Sequence, residues 1–145
     1  MMKEKGVALV STDFPYEHFV AMFGRERAQD MSSTLTDRLK RAMRLGVTLA
    51  FGSDVFTDLP GRTRADMMLD YLDVWTSAGM PPAAQLKALI TTAAEVIRVQ
   101  KTRGAIAPGF AADIIATPEN PIEKTQALRK VHFVMKDGRV VRGPK

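Results

Sequence analysis

Near the middle of the chain, Gly46-Val47-Thr48-Leu49-Ala50-Phe51-Gly52-Ser53-Asp54 forms an apolar, partly β-branched run opened by a glycine and closed by Gly-Ser-Asp. A continuous apolar run predicts a strand covered on both faces, as in a parallel sheet. Gly6–Ser11 (Gly-Val-Ala-Leu-Val-Ser) is a second such run, ending in the turn formers Thr12, Asp13 and Pro15. Between the two strands the pattern is helical. Tyr16 to about Asp30 has His18 and Met22, and Phe19 and Phe23, at compatible spacings, with Gly24 as a dividing point. Ser32–Thr34 offers N-caps for a further helix, with Leu35, Leu39, Ala42 and Met43 on one stripe and Gly46 as its stop. Strand, helix, strand is a βαβ unit, whose crossover is almost always right-handed.

Downstream, Val55–Thr63 is a loop at a strand's carboxyl end. Arg64–Thr76 follows as an amphipathic helix, with Met68, Tyr71, Leu72 and Trp75 inward. Pro81-Pro82 starts another helix, with Leu86, Leu89, Ile90 and Ala93 as its inner face. Thr92-x-x-Glu95 resembles a capping box, which predicts a break and a short restart through Val99. From Gly104 the texture changes. Ala111–Thr117, Val131–Lys136 and Arg139–Arg142 read as three short strands, the last two joined by Asp137-Gly138, a strong hairpin signal. This division predicts two parts, residues 1–103 and residues 104–145.

Composition narrows the classes. The 145 residues suffice for one domain with a real core, and 46% hydrophobic and 26% charged residues describe an ordinary globular chain. The balance of 21 Lys and Arg against 16 Asp and Glu gives +5, but the basic residues Arg38, Lys40, Arg41 and Arg44 sit at helical spacing without interleaved aromatics. That favours a solvated helix face over a nucleic-acid groove. The absence of cysteine excludes disulfides and thiolate chemistry and accords with a cytoplasmic location. No apolar run has the ~20 residues of a membrane span, so no membrane partner is expected.

Asp54 sits just past a strand's carboxyl end, where α/β folds place their chemistry, and two readings stay open for it: a turn cap or a catalytic carboxylate. Partners for it are scarce. A hydrolytic metal site needs three or four His or carboxylate ligands. The two histidines, His18 and His132, lie in separate elements and fit packed or surface roles better than ligation. There is no nucleophile elbow, phosphate loop or dinucleotide fingerprint.

The order of motifs nevertheless resembles the end of a metal-dependent amidohydrolase, most like the imidazolonepropionase-related and prolidase-like branches. The resemblance is carried by Gly46–Asp54, by the helix ending Ala-Gly-Met-Pro-Pro at 78–82, and by Ala84–Ala94. It continues through Arg103–Asp113 (Arg-Gly-Ala-Ile-Ala-Pro-Gly-Phe-Ala-Ala-Asp), Asn120-Pro121-Ile122 and Val134–Val141. It implies an α/β fold: the last two βα units of a (β/α)8 barrel, with residues 104–142 as the C-terminal share of a small β-sandwich. It implies that Asp54 binds a divalent metal, commonly zinc, and shuttles a proton from the attacking water. The substrate would be a small molecule with an amide-type C–N bond, and Arg62 is a candidate for contacting an anionic group on it. The family's His-x-His and its later histidines have no counterpart here, so this chain by itself is expected to be inactive. Two βα units cannot close an eight-stranded barrel. The open edge of the first strand is therefore expected to take further copies of the chain or a complementing chain. The alternative is a non-catalytic truncated or remnant domain that self-associates.

Overall fold

The computed structural model describes residues 1–56 and 58–143, which form two compact units, Met1–Pro81 and Pro82–Lys145. The division falls at the Pro-Pro step, earlier than the 103/104 boundary drawn from the change in texture. The helices after Pro81 group with the C-terminal strands.

In the first unit, β1 (Leu9–Ser11) and β2 (Leu49–Phe51) pair in parallel, Leu9 against Leu49 and Ser11 against Phe51. The chain between them is helical, as the periodicity predicts, but it is divided differently. Gly24 separates α1 (Tyr16–Phe23) from α2 (Arg25–Arg44), and α2 then runs without a break through the caps expected at Ser32–Thr34. The Ser33 hydroxyl instead donates to the Asp30 carbonyl one turn back, the usual resort of a serine caught inside a helix. At the other end of α2, the Gly46 and Val47 N–H groups bond the carbonyls of Met43 and Ala42, and the chain turns into β2.

α3 (Arg64–Ser77) opens on a full capping box between Thr63 and Asp66. It buries Met67, Tyr71, Leu72 and Trp75, so Met67 takes the inward position expected of Met68, which is exposed. Trp75 packs edge-on against Phe51, ring centroids 5.5 Å apart, and joins Leu39 and Ala50 in the core.

In the second unit, α4 (Pro82–Leu89) and α5 (Thr91–Val96) are interrupted at Ile90, as the sequence suggests, though without a side-chain cap. The interruption changes the phase of the inner face. Gln85, Ala88, Thr92 and Ala94 are buried, while Ile90 of the expected stripe is exposed. Gln85 is buried because the Thr125 hydroxyl donates to its side-chain oxygen at 2.9 Å. Thr125 opens a short 3-10 turn (Thr125–Lys130) that the sequence pattern did not announce. The three strands are β3 (Ile114–Ala116), β4 (Phe133–Lys136) and β5 (Arg139–Arg142), antiparallel in the order β3-β4-β5. The β4–β5 turn uses Asp137 and Gly138, both at positive φ (46° and 79°), the backbone that a two-residue hairpin requires. Among the described residues no helix is long and apolar enough to cross a membrane.

Candidate functional site

The loops that leave the carboxyl ends of β1 and β2 carry two aspartates with opposite environments. After β2 the chain passes through Gly52, whose N–H bonds the Ser11 carbonyl at 3.1 Å. A Cβ there would lie 2.6 Å from Val10 Cγ1, so a larger residue would have to displace that side chain. Asp54 follows at a φ of 46°, a left-handed conformation uncommon outside glycine, and its side chain is exposed. A residue held in that region against its preference is a recurrent feature of functional loops.

Asp13, after β1, is fully buried. It accepts from Trp75 Nε1 at 2.7 Å, from Arg38 Nη2 at 3.2 Å, and from the Ser11 hydroxyl. A buried carboxylate is tolerated only with such partners. Its oxygens are committed to tying the end of β1 to α2 and α3, which makes it a structural residue. The sequence registers Asp13 only as a turn former; the hint is that Ser11-Thr12-Asp13 echoes Gly52-Ser53-Asp54 at matching strand ends.

The charge of Asp54 reaches Tyr71, which sits in an aromatic cluster. Tyr71 is flanked by Phe14 (5.2 Å between ring centroids), His18 (5.7 Å) and Phe51 (6.0 Å), and Phe56 packs edge-on against Phe14. Burial pushes the Tyr71 phenol well above its ordinary value, and the negative charges of Asp54 and then Asp70 push it further, so it stays protonated. Its hydroxyl and His18 Nε2 are buried without a hydrogen-bond partner among the described protein atoms. His18 Nε2 faces Asp70 Oδ2 at 3.5 Å. The same oxygen is ion-paired with Arg62, the candidate substrate contact, so that guanidinium is engaged within the protein although it is 42% exposed. Arg64 faces Asp58 at 3.6 Å on the surface.

A divalent metal does not fit these residues. Asp54 is a single exposed carboxylate, His18 is packed among rings, and His132 lies exposed in the other unit. Among the described residues no three His, Cys, Asp or Glu side chains converge. A catalytic metal needs three protein ligands with an open position, and no such set is gathered among the described residues.

A sequence model of the amidohydrolase family matches residues 2–142. The chain is 30% identical to ochratoxinase of Aspergillus niger over 155 aligned positions, which cover 99% of this chain and 31% of that protein. Among solved structures, a Xaa-Pro dipeptidase with methionine bound in its active site superposes with a TM-score of 0.82 at 26% identity, covering 98% of this chain and 36% of that one. The crystal structure of A. niger ochratoxinase gives a TM-score of 0.75 at 30% identity, covering 99% and 34%. The chain therefore spans about a third of the proteins it matches.

Proposed function

The chain belongs to the amidohydrolase family, and on that premise we propose that it contributes one carboxylate, Asp54, to the active site of a hydrolase of amide-type C–N bonds. The observation that carries this reading is the position of Asp54. It is exposed, in a left-handed conformation, just past the carboxyl end of a parallel strand, and its charge reaches the buried Tyr71. Carboxylates at such strand ends are where parallel α/β folds keep their chemistry. In this reading β1 and β2 are the last two strands of a (β/α)8 barrel, and β3 to β5 belong to its β-sandwich. Where further ligands are provided, a divalent metal such as zinc, held by them and by Asp54, would supply an activated water. Among the described residues no ligand set stands beside Asp54.

Two strands expose both outer edges of a parallel sheet, a form that is normally buried. We assign the free edge of β1 to a complementing chain that carries the missing histidines, or to further copies of this one. The non-catalytic alternative, a remnant domain that only self-associates, draws on the same edge. Hydrolysis of dipeptide and amide substrates by the purified chain with Zn2+ tests whether the site is incomplete. No turnover is expected. Turnover abolished by Asp54→Asn would show that the chain is a complete enzyme and overturn the proposal of an incomplete site.

A further inference from the structure

The Tyr71 hydroxyl is the most conspicuous polar group of the first unit that the packing does not explain. Tyr71 is fully buried, and among the described protein atoms its hydroxyl meets no hydrogen-bond partner. A phenylalanine would fill the same space, since the ring already packs among Phe14, Phe51 and His18. A buried polar atom left unpaired in a folded protein is uncommon and calls for a partner or a role. The ring contacts place Tyr71 within the fold. Phe51 ends β2 and Phe14 follows β1, so Tyr71 lies at the carboxyl ends of both strands, three residues before Asp54 along the chain from Phe51. Phe56, two residues past Asp54, packs edge-on against the same Phe14 ring. Burial first, and then the negative charges of Asp54 and Asp70, keep the phenol protonated and therefore a donor. Of those two carboxylates, Asp70 is already engaged: its Oδ2 is ion-paired with Arg62, and His18 Nε2 faces the same oxygen at 3.5 Å. Asp54 is exposed, and its carboxylate is bonded to none of the described residues.

We propose that Tyr71 is a positioning residue for Asp54: its hydroxyl donates to the Asp54 carboxylate and fixes that side chain at the carboxyl end of β2. One carboxylate oxygen is then held and the other left for the reacting groups, the way hydrogen bonds orient ligating carboxylates elsewhere. Asp54 gives up hydration for the bond, so the bond adds little net stability. What the bond does rests on the reading of Asp54 as an active-site carboxylate; whether it forms does not.

Tyrosine labelled with 13C at Cζ reports on the bond in the full 145-residue chain. There are two tyrosines, Tyr16 and Tyr71, so Tyr71→Phe identifies the two resonances. At neutral pH the Tyr71 signal is expected downfield, toward the phenolate position. Asp54→Gly should return it upfield, and Asp54→Asn, a weaker neutral acceptor, part of the way. Asp70→Asn should move it less than either, and circular dichroism confirms that each variant is folded. The urea midpoint should stay in place for Tyr71→Phe. A Tyr71 resonance indifferent to both Asp54 changes, or one that responds most to Asp70→Asn, would overturn the proposal. In a mixture where a chain with the missing histidines restores turnover, Tyr71→Phe should lower kcat ~10–100-fold with KM nearly unchanged. An unchanged kcat there would overturn the positioning role, whereas turnover indifferent to Asp54→Asn would overturn the reading of Asp54 and leave the bond standing.

Discussion

Replacing Asp13 by alanine removes the acceptor at which three elements of the first unit meet. Trp75 Nε1, 2.7 Å away, is left as an orphan donor in the core. A stranded buried donor costs ~1–3 kcal/mol. Arg38 is partly solvated, so losing its pairing adds at most ~1 kcal/mol, as for a half-exposed ion pair. Alanine relieves the burial of the charge itself, which keeps the total below the upper end for broken buried pairs, giving ~1–4 kcal/mol. Set against a whole-domain stability of ~5–15 kcal/mol, that is a large fraction. Asp13→Asn retains an acceptor for the indole and should cost about half as much. The assay is urea unfolding followed by circular dichroism for wild type, Asp13→Ala, Trp75→Phe and the double variant. The cycle should return a coupling of ~1–3 kcal/mol. A destabilisation below ~0.5 kcal/mol, the scale of neutral surface changes, or no coupling to Trp75, would refute the assignment of Asp13 as the tie between β1 and α3.

Three further outcomes follow from the geometry. The Asp113 carboxyl is held down to about 2, first by the Lys136 ammonium, then by the Asp137 N–H, with the Arg103 charge adding to both. Its stabilisation is complete above the ordinary carboxylate range and is lost as pH falls toward 2; Asp113→Asn should flatten the pH dependence of the thermal midpoint between pH 5 and 2. Tyr71→Phe removes a buried hydroxyl that has no protein partner, so stability should hold or rise by up to ~1 kcal/mol, and a loss above ~1.5 kcal/mol in urea titration would contradict that environment. Asp54→Gly suits a φ of 46°, so it should stabilise the chain by ~0.5–1 kcal/mol if the carboxylate is kept for function at a conformational cost; clear destabilisation would make Asp54 a structural cap instead.

The sequence and the structure agree where a local signal is strong and needs no distant partner. The two apolar runs become a parallel pair, and Asp137-Gly138 becomes the hairpin. Disagreement arises where phase or a remote partner decides. Ser32–Thr34 look like caps, but the break comes at Gly24 and the helix runs through them. Met67 displaces Met68 because neighbouring methionines are equivalent to a periodicity argument. Gln85 is buried by Thr125, forty positions away in sequence, which no local pattern conveys. The same holds at the candidate site. The place of Asp54 at a strand end is readable, but the capture of Arg62 by Asp70 and of Asp13 by Trp75 depends on how α3 packs.

Whether Asp54 is a catalytic carboxylate is decided by what it does when the rest of an amidohydrolase site is supplied. The measurement is zinc-dependent hydrolysis of dipeptide and amide substrates by the chain mixed with a polypeptide carrying the earlier strands and histidines of an amidohydrolase barrel. The expected result is no turnover from either piece alone, turnover from the mixture, and a loss of at least a hundredfold with Asp54→Asn while the mixture still assembles. Turnover that is indifferent to Asp54→Asn would contradict it.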